Sequence, residues 1–62
     1  MNNPEKALIY DNLLRESDRL QRENSRLKSQ YATNIPLQIQ EQINQNNASI
    51  AVLVKKLENL FM

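Results

Sequence analysis

The stretch LLRESDRLQRENSRLK, residues 13–28, decides the fold. Leucine recurs at 13, 20 and 27, and almost everything between is charged or polar. A seven-residue apolar repeat of this kind marks one narrow stripe of an α-helix and predicts a coiled-coil seam. With Leu13, Leu20 and Leu27 at one inner position of the heptad, Tyr10, Ser17, Asn24 and Tyr31 take the other. Ile9 and Leu14 flank the seam and widen it at its N-terminal end. Asn24 lies inside the seam. A polar residue there lowers stability but selects register and strand number, because a misaligned asparagine would be buried without a partner. Asn24 is therefore a candidate register-setting residue.

The charges follow helix spacing. Asp11–Arg15 and Asp18–Arg22 stand four apart, and Glu16–Arg19 and Glu23–Arg26 three apart. Each pair contributes about 0.2–0.5 kcal/mol at best. Upstream, Asn3 suits an N-cap, Pro4 the first helical position and Glu5 the positive end of the helix dipole.

Downstream, YATNIPLQ (31–38) interrupts the pattern. Thr33 and Asn34 favour turns and caps over helix interiors. Ile35 precedes a proline and is pushed out of the α region, while Pro36 fits the first turn of a new helix. The heptad phase breaks at the same place. A second, cleaner heptad then places Ile39, Asn46, Leu53 and Leu60 at one inner position and Ile43, Ile50 and Leu57 at the other. Asn46 is a second candidate register-setting residue. Val54 and Phe61 broaden this stripe. The outer face is rich in Gln and Asn (Gln38, Gln40, Gln42, Asn44, Gln45, Asn47), and Lys55 and Lys56 lie near the helix C-terminus, where the dipole favours cations.

These features predict an all-α protein. One domain over 1–62 forms a two-helix antiparallel hairpin with coiled-coil heptads, with helices over about 4–31 and 36–61 and a break at 32–35. Folding about residues 33–34 sets Leu27 near Ile39 and Ile43, Leu20 near Asn46 and Ile50, and Tyr10 and Leu13 near Leu53 and Leu57. Ile9 falls near Leu57 and Phe61. Two helices alone cannot bury this apolar set, so the chain is expected to self-associate, most simply as a dimer of hairpins forming a four-helix bundle. The expected oligomer core is Ile9, Tyr10, Leu13, Leu20, Leu27, Ile39, Ile43, Ile50, Leu53, Leu57 and Leu60.

Composition narrows the function. The 62 residues contain no glycine, no cysteine and no histidine, and eight basic residues face seven acidic ones for a net charge of +1. Without cysteine or histidine there is no disulfide, no thiolate or imidazole metal ligand and no histidine base. Without glycine there is no phosphate-cradling glycine loop. Glu41 and Glu58 stand alone, whereas paired-carboxylate chemistry needs two acids converging on a cleft. The expectation is a non-enzyme with no cofactor and no metal. No apolar run approaches the ~18 residues of a membrane span, and MNNPEKALIY lacks the basic and apolar regions of a signal peptide. A soluble, cytoplasmic protein is expected. Its polar faces are not basic enough for a membrane-surface helix.

The run RLQRENSRLK (19–28) resembles a leucine zipper of the bZIP class, over residues 13–28 only. The resemblance implies oligomerisation through the leucine seam. That class carries a basic helix ahead of its zipper, whereas residues 1–12 hold one lysine and no arginine, so its DNA-binding role is not carried over. In length and two-helix layout the chain is also similar to Rop-type plasmid regulators, hairpin dimers that bind RNA. That likeness is one of architecture, without a shared motif.

Arg15, Arg19, Arg22 and Arg26 share one helix face and are the candidate nucleic-acid contacts. The bland alternative is a solvated face paired with the interleaved acids. Tyr10 and Tyr31 read as core-edge residues with wet hydroxyls rather than recognition anchors. The Gln/Asn-rich run reads as a helix face open to docking rather than a prion-like segment. The sequence thus points to a small helical oligomerisation and protein–protein interaction module that docks its helices on a partner protein. A Rop-like nucleic-acid-binding regulator using the arginine face is the second reading, and a small phage- or host-encoded inhibitor of a larger protein the third.

Overall fold

The computed structural model of the chain describes residues 4–61. They form two helices, α1 (Pro4–Gln30) and α2 (Leu37–Leu60), which pack against each other, with no strand among the described residues. α1 begins on Pro4, whose fixed φ and missing N–H suit a first helical position. It carries Glu5 in its first turn and Lys28 in its last, each matching the dipole. The cap expected at Asn3 lies outside the described residues.

The helix stops where the sequence turns against it. The Tyr31 amide still donates to the Leu27 carbonyl at 3.1 Å, and the Asn34 amide closes a turn on the Tyr31 carbonyl at 2.9 Å. Ile35 cannot continue the helix ahead of a proline. Pro36 then serves as N-cap rather than as first helical residue, with extended backbone (φ −58°, ψ 151°) and no side-chain cap. Its carbonyl accepts the Gln40 amide at 2.9 Å, the first bond of α2. No described residue has a positive φ. The connection therefore needs no left-handed residue, which fits a chain without glycine.

Cross-helix contacts pair the early part of α1 with the late part of α2. The Tyr10 ring stands edge-on to Phe61, with centroids 5.5 Å apart and planes at 64°. Near the middle, Asn24 bonds Asn46 and Asn47, and Glu23 bonds Gln42. The result is a rod of 51 × 15 × 12 Å. Folding about the break sets the two wide apolar ends together, and likewise Asn24 and Ser17 with Asn46; the structure pairs Tyr10 with Phe61, one turn beyond Leu57, and Asn24 with Asn46. This register has a physical reason. It brings one buried amide to another, where a slip of one turn would press an amide against an aliphatic side chain.

Burial is graded along the rod. The buried side chains are Leu20, Leu27 and Ile43, together with the polar Ser17, Asn24 and Asn46. All lie in the middle or toward the connection. Ile43 is the most enclosed, at 1% exposure. Leu13, Ile39, Ile50, Leu53, Leu57 and Leu60 are half-buried, whereas Ile9 and Tyr10 are exposed. The end away from the connection is richer in large apolar residues and yet less covered.

The gradient sets an expectation. Ile43→Ala removes a fully enclosed side chain and should cost about 2–5 kcal/mol. Leu37→Ala, at a side chain 74% exposed, should stay within about 0.5 kcal/mol. Urea unfolding at one fixed protein concentration distinguishes the two; equal costs would contradict the gradient.

Candidate interaction surface

Ser17, Asn24 and Asn46 occupy buried places in the helix seam, and two of them anchor a polar network across it. The Asn46 amide donates to Asn24 Oδ1 at 2.9 Å and to Glu23 Oε1 at 3.3 Å. The Asn24 amide donates to Asn47 Oδ1 at 2.9 Å, and the Gln42 amide to Glu23 Oε1 at 2.6 Å. Nearby, Gln21 donates to Ser17 Oγ at 3.4 Å. Among the described residues no buried side-chain nitrogen or oxygen lacks a partner. A buried polar network with every group satisfied specifies a packing arrangement, whereas a half-satisfied one destabilises it.

Sequence reasoning singled out Asn24 and Asn46 but missed Glu23, Gln42 and Asn47. Gln42 and Asn47 were placed on an outer Gln/Asn-rich face, and Glu23 was paired with Arg26. The structure turns all three toward the partner helix. The available signal was position. Residues 23, 42 and 47 border the seam beside the two asparagines, one helical step from the inner positions.

Glu23 carries the electrostatics of this network. Hydrogen bonds from Asn46, then Gln42, hold its carboxyl below the ordinary carboxylate range; partial desolvation opposes them, and the charges of Arg19 and Arg26 add a smaller push downward. Glu16 is lowered chiefly by its hydrogen bond from Arg19, and the Arg19 guanidinium is raised correspondingly.

The four arginines of the candidate nucleic-acid face lie exposed on α1. Three of them engage acids. Arg15 pairs with Asp11 at 3.0 Å and Arg22 with Asp18 at 2.9 Å. Arg19 holds Glu16, with Nε to Oε2 at 3.3 Å, and reaches Glu23 at 3.8 Å. Arg26 bonds the neutral Gln30 at 3.5 Å. The pairs are solvated and individually weak, but they intersperse negative charge along the stripe.

Two flanks border the seam. On one, Glu16, Arg19, Leu20, Ser49, Val52 and Leu53 line an open groove of about 330 Å³, apolar at its floor and charged at its rim. On the other lie Tyr10, Leu14, Val54 and Phe61, all exposed. Among the described residues no group of His, Cys, Asp or Glu could hold a metal ion, and no helix is long and apolar enough to cross a membrane.

The paired amides set a double-mutant test. Asn46→Leu alone strands the Asn24 carbonyl oxygen in a buried place and should cost about 1–3 kcal/mol. Asn24→Leu alone removes the shorter of the Asn46 amide's two bonds and leaves it only the 3.3 Å bond to Glu23, so it too should destabilise. The double variant Asn24→Leu/Asn46→Leu should cost much less than the sum of the two, because both ends of the bond become apolar together. Additive costs in thermal unfolding would show that the asparagines act separately.

Glu23 sets a pH test. Its folded-state pKa lies below the unfolded value, so its contribution is fully present above the unfolded value and is lost as pH falls through the folded one. The stability difference between the wild type and Glu23→Gln should be largest near neutrality and shrink below about pH 4. Parallel acid profiles for the two proteins would exclude Glu23 from this role.

Comparison with known proteins finds no matching family model, no similar curated protein and no similar solved structure.

Proposed function

We propose that the chain is a small helical interaction module, neither enzyme nor cofactor carrier. It is an antiparallel hairpin with coiled-coil heptads that self-associates and docks its helices on another protein. Asn24 and Asn46 set the register, and the leucine and isoleucine seam supplies the oligomer core. The observation that carries this reading is the unequal treatment of the two kinds of surface. Large apolar side chains at the end away from the connection stay exposed, Phe61 at 63% and Leu8 at 62%, while three of the four arginines already engage acids. Exposed apolar groups gain most from being covered by another helix surface. A charge-paired stripe offers phosphates much less than a bare one.

Changing Arg15, Arg19, Arg22 and Arg26 to glutamine together should leave folding and assembly intact. Changes of Leu20, Ile50 or Leu53 to alanine should lower both. Wild-type helicity should fall on dilution, because assembly and folding are linked. A gel-shift titration against mixed RNA and DNA at low salt should show no retardation at micromolar protein. Clear binding that is steeply salt-dependent and lost in the arginine variant would replace this reading with the Rop-like regulator.

A further inference from the structure

The two helices differ in what holds each of them beyond the polar network. On α1 the open half carries its own braces. Asp11–Arg15, Asp18–Arg22 and Glu23–Arg19 pair at 3.0, 2.9 and 3.8 Å. Each pair joins residues four apart on one helix, so it needs nothing from α2. Residues 48–60 of α2 have no such braces. Among the described residues, the hydrogen bonds and ion pairs between side chains of α2, and from α2 to α1, stop at Asn47. Ile50, Val52 and Val54 are β-branched and weaken the intrinsic helix preference of this segment.

Its grip on α1 is looser as well. The buried residues of α2, Ile43 and Asn46, both precede it. Beyond Asn47 the inner positions Ile50, Leu53, Leu57 and Leu60 are only half-buried, and the edge contact of Tyr10 with Phe61 closes the end. Segments with few enclosed apolar side chains open locally at a smaller free energy than the core does.

We infer that residues 48–61 form an arm that opens as a unit. It pivots at the tie of Asn24 to Asn46 and Asn47 and unwinds as it leaves, while α1 stays helical opposite it and the connection half stays closed. An isolated helix shorter than about 15 residues is marginal in water, whereas α1 runs for 27 residues and is braced on its open half. The tie sets the limit of opening. Pulling it apart strands buried amides, but parting the arm strands none, because the arm's inner positions are aliphatic. Opening lays bare Leu13 of α1 and the inner row of the arm, side chains that the closed hairpin half-covers. The arm is thus a gate on apolar surface that belongs to one chain and is independent of any partner.

Residue-resolved amide hydrogen exchange on the full chain tests this, at the lowest concentration that keeps it helical. The Asn24–Asn46 and Tyr10–Phe61 contacts set amides 52–56 level with 14–18 on α1. After correction for intrinsic rates, amides 52–56 should exchange about tenfold faster than 14–18 or more, and 43–47 should be the slowest of α2. Fast exchange confined to 57–60 is ordinary fraying of a helix end and would overturn the inference. Exchange on α1 as fast as on the arm, or one rate for the whole chain, would overturn it too. Asp11→Asn/Asp18→Asn removes two braces and should speed amides 14–18 about two- to fivefold while leaving 52–56 within about twofold. Unchanged rates on α1 would overturn the part given to the braces. The chain has no cysteine, so Tyr10→Cys/Phe61→Cys can be joined by a short bismaleimide tether. The tether should slow amides 52–56 about fivefold or more relative to the untethered variant; no slowing would overturn opening at that end. The wild-type rates decide even if a variant fails to fold.

Discussion

The pairing of Asn24 with Asn46 is the contact on which the rest of the arrangement depends. Both amides are buried in the seam, and each meets the other at 2.9 Å. Leucine and isoleucine make contacts without direction, and a seam built from them alone slides by a helical turn at little cost. An amide in that seam has no such freedom. Displaced by one turn, it faces an aliphatic chain and loses bonds worth about 1–3 kcal/mol of desolvation. Once these two residues meet, Glu23 falls within reach of Gln42 and Asn46, Asn47 within reach of Asn24, and Tyr10 beside Phe61.

The existence of two helices was legible because several signals agreed. Pro4 and the leucine repeat mark the first helix, and the Thr33–Pro36 cluster and the phase break point to one interruption near residue 34. The register between the helices was legible in outline. Folding the chain about its break set the polar interruptions Asn24 and Ser17 against Asn46, and the structure pairs Asn24 with Asn46. The same folding left Leu20 within reach of both Asn46 and Ile50, and the cost of an unpaired amide selects between such one-turn alternatives. The polar partners were harder to see. Gln42 and Asn47 sit in a run of near-identical Gln and Asn residues, where composition says nothing about which side chain crosses to α1. Glu23 looked committed to Arg26 three residues on, but a carboxylate has several acceptor positions. The amides of α2 occupy one oxygen while Arg19 approaches the other.

The ionic face of α1 was legible as a pattern, with Asp11–Arg15, Glu16–Arg19 and Asp18–Arg22 formed as their spacing suggested. Spacing is enough here because partners three or four residues apart on one helix need no tertiary structure to meet. What spacing cannot convey is the net effect at longer range. With alternating signs a few ångströms apart, the field of the stripe decays within a Debye length of about 8–10 Å.

The two ends of the rod differ in how far their own chain satisfies them. Near the connection, Leu27 and Ile43 are covered by the two helices that the short loop holds together. Bringing these residues together costs little loop entropy, because few residues separate them. At the far end fifty residues separate Tyr10 from Phe61, yet here the large apolar side chains are most numerous and least covered. A pair of helices encloses only the line along which they touch, so a wider apolar stripe leaves its edges in water. The widening at Ile9 and Leu14 on α1 and at Val54 and Phe61 on α2 therefore exceeds what two helices can enclose. In this rod the polar lock sits at the middle, the self-sufficient core toward the loop and the surplus apolar width at the open end. Register is thus fixed within the chain by amides, while the uncovered apolar width lies at the open end, so that the two features fall to different residues.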